Sequence, residues 1–143
     1  MPQIIILRGL PGSGKTTWAL QEMAAHPGVY KRVNKDALRA MLDDGVYSGI
    51  NEFFVREIRN KIIILAIING YSILVDDTNF NAAHEEEIRV QFSDWADIIV
   101  KDFTDVPLEE CIRRDAGREK SVGEDVIRNM WQKYLAPKVE DQQ

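Results

Sequence analysis

Four short stretches of this sequence carry residue types and spacings suited to phosphoryl chemistry. The first, Gly9-Leu10-Pro11-Gly12-Ser13-Gly14-Lys15-Thr16, matches the phosphate-loop pattern G-x-x-x-x-G-K-[ST] without a mismatch. Glycines let backbone N–H groups turn inward around a phosphate, and a following helix adds the positive end of its dipole. Gly12, Ser13, Gly14, Lys15, Thr16 and Thr17 are therefore the candidate triphosphate binders. In such loops the lysine reaches the β- and γ-phosphates and the hydroxyl ligates Mg²⁺. Thr16 is the candidate magnesium residue, with Asp36 or Asp77 as possible partners through water.

The second stretch holds Asp36 and Arg39, three residues apart and able to project from one helical turn. A carboxylate there can take the proton of an attacking hydroxyl, and the planar guanidinium can grip a phosphate on the same acceptor. The spacing fits equally a helix-capping carboxylate beside a surface arginine. The third stretch, Asp76-Asp77-Thr78-Asn79, closes an apolar run where a Walker-B carboxylate would sit. Side chains alternate along a strand, so only one aspartate faces the loop. Asp77, nearer the strand exit, is the one expected to do so, organising Mg²⁺ through water or holding an acceptor-side arginine. The competing reading is a plain strand-end turn. The fourth is the cationic cluster Arg113, Arg114, Arg118 and Lys120. Gly117 and Gly123 would hinge it as a lid, with an arginine neutralising charge on the transferring phosphates. A solvated helix end is the bland alternative. Lys31, Arg32 and Lys35 form an expected electrostatic track for an anionic acceptor.

The elements that must position these residues follow from periodicity. Ile4 to Leu7, Val29 to Val33, Ser72 to Asp76 and Ile98 to Val100 read as strands. Helices are expected from Thr17, from Asn34 as a cap, over Glu52 to Asn69, over Ala82 to Trp95, from Pro107, and over Glu124 to Leu135. The isoleucine-rich second half of the Glu52–Asn69 helix is expected to be buried, and residues 46–51 to form a loop. Four strands separated by helices predict an α/β fold: a four-stranded parallel sheet, helices on both faces, and a small helical lid. Ligands then sit beyond the carboxyl ends of the strands. The expected organisation is one domain over 1–136 and a polar, frayed tail over 137–143.

Bulk composition narrows the classes. The chain has 143 residues, 45% hydrophobic and 29% charged, with net charge −5, which argues against non-specific nucleic-acid binding by the whole surface. Its single cysteine, Cys111, cannot form an internal disulfide and is expected to pack on a helix face, in a reducing compartment. No signal-peptide pattern or membrane-length apolar run is evident. His26 and His84 lack metal-ligand spacing and read as surface residues; Trp18, Trp95 and Trp131 read as core or helix-packing residues.

The order of Gly9–Trp18, Val33-Asn34-Lys35-Asp36-Ala37-Leu38-Arg39 and Asp76-Asp77-Thr78-Asn79 resembles the P-loop kinase domain of phage polynucleotide kinase/phosphatase. Arg114–Arg118 and Asp125–Met130 resemble that family's lid and last helix, so the likeness runs from residue 3 to about 135. The resemblance implies a polynucleotide 5′-hydroxyl kinase that moves the γ-phosphate of ATP, or another NTP, to DNA or RNA ends. Lys15 and Thr16 would bind donor phosphates and Mg²⁺, and Asp36 would be the general base. Arg39 would hold the phosphate 3′ of the acceptor nucleoside, Asp77 would support that site, and Arg118, with Arg114, would clamp the donor. Cytoplasmic nucleic-acid repair in a bacterial or phage-infected cell is the implied setting. The segment after Arg118 is about one residue shorter than in the phage enzyme, and the sequence stops where that enzyme's phosphatase domain would begin, as a kinase-only protein or a domain excerpt would alike. A small-metabolite kinase of the gluconate or shikimate type and a non-kinase nucleotide-binding module are the rival readings.

Overall fold

Alternation along the first strand dictates the layering. In β1 (Gln3–Arg8), Ile4 and Ile6 point to one face and Ile5 and Leu7 to the other, and all four are buried. Both faces of the sheet must therefore be covered by helices. The computed structural model describes residues 1–137 and has that architecture. After β1 come α1 (Lys15–Ala25), β2 (Tyr30–Val33), α2 (Lys35–Asp43), α3 (Gly49–Ile68) and β3 (Ser72–Asp76). There follow α4 (Ala82–Phe92), β4 (Asp97–Asp102), α5 (Leu108–Ala116) and α6 (Glu124–Tyr134). The four strands form one all-parallel sheet in the order β2-β3-β1-β4, with Leu7 opposite Asp76 and Val33 opposite Val75. This is a P-loop kinase fold.

On one face, Ile4, Ile6, Ile73 and Val75 pack against Leu38, Val55, Ile63 and Ile88 of α2, α3 and α4. On the other, Ile5, Leu7 and Leu74 meet Ala19 of α1, with Trp18 and Phe103 alongside. A third cluster, Leu10, Cys111 and Ile127, fastens α5 and α6 to the phosphate loop, and places Cys111 in the packing role its sequence context suggested. Burying each such aliphatic side chain contributes about 1.5–3 kcal/mol.

Several boundaries differ from the sequence reading. α3 begins at Gly49, because Ser48 caps it by accepting a hydrogen bond from the Asn51 N–H, so 46–51 is not all loop. Its second half is not buried all round: Ile63 and Ala66 face the sheet, whereas Leu65 is 60% and Ile68 73% exposed. A helix in the outermost layer has one covered side, whatever the hydrophobicity of the other. Trp95 likewise points outward, since α4 ends at Phe92 and the chain turns before β4. Pro107 sits at the cap position of α5 rather than inside its first turn. The expected frayed tail lies, apart from Pro137, outside the described residues. Among the described residues no helix is long and apolar enough to cross a membrane.

Candidate active site

The phosphate loop runs from the end of β1 to the start of α1. Gly12 and Gly14 have φ of +84° and +102°, a region that side chains with a Cβ rarely adopt. Gly12 has a second constraint, because a Cβ there would lie 2.3 Å from the backbone oxygen of Cys111 on α5. The Lys15 side chain lies back inside the loop, its Nζ donating to the carbonyls of Gly9 (2.7 Å) and Leu10 (2.9 Å). Burial lowers its pKa to about 8, against the raising influence of Asp76 and Asp77. A cleft of about 600 Å³ opens above the loop, lined by Gly12, Gly14, Lys15, Thr16 and Thr17, and across it by Arg114 and Arg118. Ser13 is the exception among the loop residues named from sequence. It is buried, and its N–H is bonded to the Leu10 carbonyl.

The pair at the end of β3 reverses one sequence expectation. It is Asp76, not Asp77, that faces the loop: its Oδ2 accepts from the Thr16 hydroxyl (2.7 Å) and from Arg32 Nε (2.8 Å). Parity explains the reversal. Asp76 shares a face with Leu74, the face covered by α1, and Thr16 stands in the first turn of α1. Asp77 projects to the opposite face, where its Oδ1 accepts the backbone N–H of Lys35 (2.9 Å) at the start of α2. Burial pushes the Asp77 carboxyl up, opposed by that N–H and by the charges of Lys35 and Arg59. Asn79, at φ +54°, donates its amide to the carbonyls of Leu7, Val75 and Asp77 and so ties the ends of β1 and β3 together.

Beyond α2 lies a second cleft of about 550 Å³, bordered by Lys35, Arg39, Glu52 and Arg56 on one side. Asn34 caps α2 as expected, accepting from the Ala37 N–H (2.8 Å) while its amide bonds the Asp76 carbonyl (2.6 Å). Arg39 is held by three contacts. Its Nε and Nη2 take both oxygens of Glu52, the latter at 2.7 Å, and its Nη1 pairs with Asp36. These hydrogen bonds hold the Glu52 carboxyl below its usual range. The Asp36 side chain is 79% exposed, attached to the cleft wall through Arg39. His84 belongs to this cleft too, half-buried instead of on the surface, and burial with Lys35 nearby lowers its pKa. Of the anticipated electrostatic track only Lys35 lines the cleft. Arg32 is taken by Asp76, and Lys31 lies over the Tyr71 ring, 4.4 Å from its centre.

In the segment expected to form a lid, between α5 and α6, Arg118 pairs with Asp115, whose two oxygens also accept the N–H groups of Val122 (3.0 Å) and Gly123 (2.9 Å). Burial raises the Asp115 pKa, but these three partners outweigh it and hold the carboxyl below its usual range. Arg113 and Arg114 both pair with Glu110. Three residues with structural weight were missed from sequence: Glu52, Asp115 and the fully buried Arg59, which bonds Asn60, itself bonded to Glu87. Each acts through a partner on another turn or element. The [ST]-x-x-E spacing of Ser48 with Asn51 and Glu52 was the nearest available hint, and it is imperfect.

The donor set suits magnesium rather than a softer metal. Thr16 and Asp76 juxtapose two hard oxygen atoms that could take part in holding a cation. A hard cation that keeps several waters and leans on substrate phosphates fits such a sparse site.

Comparison with known proteins agrees with this fold. The L-seryl-tRNA(Sec) kinase of Methanococcus maripaludis is 28% identical over 137 residues, 94% of this chain and 53% of the relative. Among solved structures, a chain of the Pnkp1/Rnl/Hen1 RNA repair complex superimposes with a TM-score of 0.77 at 26% identity, covering 93% of this chain and 44% of that one. The APS kinase CysC of Mycobacterium tuberculosis, solved with AMPPNP and APS, gives a TM-score of 0.63 at 25% identity, over 81% of this chain and 69% of that one. The chain thus spans about half the length of the first two. Two of these are kinases named for different acceptors, seryl-tRNA(Sec) and APS, and the third belongs to an RNA repair complex. Residues 4–137 match the AAA domain model, and the chain belongs to that P-loop family.

Proposed function

We propose that this protein is a Mg²⁺-dependent polynucleotide 5′-hydroxyl kinase, using ATP or another NTP as donor and a DNA or RNA 5′ end as acceptor. One observation carries the reading: the adjacent carboxylates Asp76 and Asp77 join two basic clefts at the same end of the sheet. Asp76 bonds Thr16 of the donor cleft, and Asp77 bonds the start of the helix that bears Asp36 and Arg39. A donor phosphate and an acceptor hydroxyl brought in from the two sides would meet between them.

In this reading the acceptor phosphate displaces Asp36 from Arg39 Nη1, while Glu52 keeps the other guanidinium nitrogens in place. The freed Asp36 carboxylate accepts the proton of the 5′-hydroxyl as its oxygen bonds to the γ-phosphorus and the bond to the β-phosphate oxygen breaks. Lys15, Arg114 and Arg118 neutralise charge on the phosphates. Thr16 and Asp76 would hold the magnesium, which supplies Lewis-acid stabilisation of the phosphate oxygens.

The test is transfer of labelled γ-phosphate from ATP to a 5′-hydroxyl oligonucleotide, with a 5′-phosphorylated copy and Asp36→Ala as controls. Label confined to the 5′-hydroxyl strand and lost in the variant supports the reading. Measurable nucleotide binding without any transfer to the strand defeats it. The likeness to a seryl-tRNA kinase favours one second acceptor, the serine hydroxyl of an aminoacylated tRNA. Seryl-tRNA belongs in the same assay, where label would then leave with the amino acid on deacylation.

A further inference from the structure

The far wall of the second cleft is not used by the proposed transfer. It is formed by Phe80, after β3, and by Lys133 and Tyr134 at the end of α6. Phe80 and Tyr134 stack with centroids 4.9 Å apart and planes 13° from parallel. Lys133 lies 5.1 Å from the Tyr134 ring centre, and Tyr134 remains 42% exposed. The cleft is lined by four basic side chains against one carboxylate, in a chain whose net charge is −5. Arg39 is neutralised by Glu52 and Asp36, whereas the ion pairs among the described residues leave Lys35, Arg56 and Lys133 unmatched. Cations without carboxylate partners beside a partly exposed aromatic ring are the combination that binds a nucleotide's phosphate and base together.

Resting on the polynucleotide kinase reading, we infer that this wall is a subsite for the nucleotide 3′ of the one being phosphorylated. Its base packs against Tyr134, which Phe80 backs, and in doing so displaces the Lys133 ammonium from over the ring towards the phosphate. The phosphodiester leaving it on the 3′ side lies among Arg56, His84 and Lys133. The site is sequence-tolerant, because every base offers a π face and no base-edge reader is required. Acceptors are therefore ranked by length beyond the first nucleotide, not by the identity of the second.

The experiment compares kcat/KM for a nucleoside 3′-phosphate with that for a dinucleotide carrying a 3′-terminal phosphate, at low and moderate salt. The dinucleotide is expected to be better by about tenfold or more, the scale of one stacked base with one phosphate contact. Lys133→Gln and Tyr134→Ala are expected to shrink that ratio towards one, and Lys133→Gln to lower the salt slope for the dinucleotide by about one. Lys133 is exposed, so its variant tests the subsite without disturbing the fold. Equal activity of the wild type on both acceptors overturns the subsite and leaves the kinase reading standing. A uniform loss on both acceptors in both variants also overturns it. No phosphorylation of either acceptor, or of a longer 5′-hydroxyl strand, defeats the kinase reading and this inference with it.

Discussion

Lys15 offers the most direct quantitative test of the donor site. Its Nζ is buried and satisfied by two carbonyls rather than by a carboxylate, which is why its pKa falls from 10.5 to about 8. A tenfold change in proton affinity is worth about 1.36 kcal/mol, so burial disfavours the charged form by about 3 kcal/mol in the ligand-free protein. A triphosphate brings negative charge to the ammonium and reverses that preference. Binding should then take up about 0.1 proton at pH 7, about half a proton at pH 8 and about 0.9 at pH 9. Apparent affinity should be about tenfold weaker at pH 9 than at pH 7, since the ammonium must first be formed. The linked stability effect has a definite sign. Between pH 8 and 10.5 the unfolded chain holds a proton that the folded chain does not. The stability cost of Lys15 is thus complete below about pH 8 and is relieved as pH rises through that window. Calorimetric titration with a non-hydrolysable ATP analogue, in buffers of different ionisation enthalpy, reads the proton count directly. Lys15→Arg, which does not titrate here, is the control and should show none of the uptake. Uptake near zero at pH 9 in the wild type, or equal uptake in the arginine variant, would refute the argument.

Glu52→Gln should leave ATP affinity within about twofold while lowering kcat/KM for an oligonucleotide by about ten- to a hundredfold, because Arg39 loses its charged support on two nitrogens. Steady-state kinetics with each substrate varied separately distinguish the two. Asp115→Asn should cost about 1–3 kcal/mol in urea unfolding, as the buried acceptor of the Val122 and Gly123 N–H groups loses its charge. It should also weaken the ATP analogue through Arg118. Gly12→Ala should be more damaging than its size suggests, by at least about 2 kcal/mol, since strain at positive φ adds to a clash with the Cys111 carbonyl. Thermal unfolding of this variant beside Gly28→Ala, where φ is also positive and the space is open, separates the clash from the strain.

What the sequence determined by itself was local. The phosphate loop, the Asn34 cap and the acidic–basic pair Asp36 and Arg39 depend on neighbours within a turn, and their spacing was enough. The four strands were legible because each is an apolar run bounded by turn residues. Tertiary structure decided whatever depended on a face or a distant partner. Alternation made clear that Asp76 and Asp77 diverge, but not which of them meets Thr16. That depends on which face of the sheet α1 covers, a matter of chain crossover rather than local spacing. The exposure of Leu65, Ile68 and Trp95 depended on whether a further layer of chain lies over them. Glu52 on Arg39, Asp115 on the backbone of Val122 and Gly123, and His84 in the second cleft are pairings that exist only once α2 to α6 are packed. A side chain's type limits what it can bond, and the fold chooses the partner.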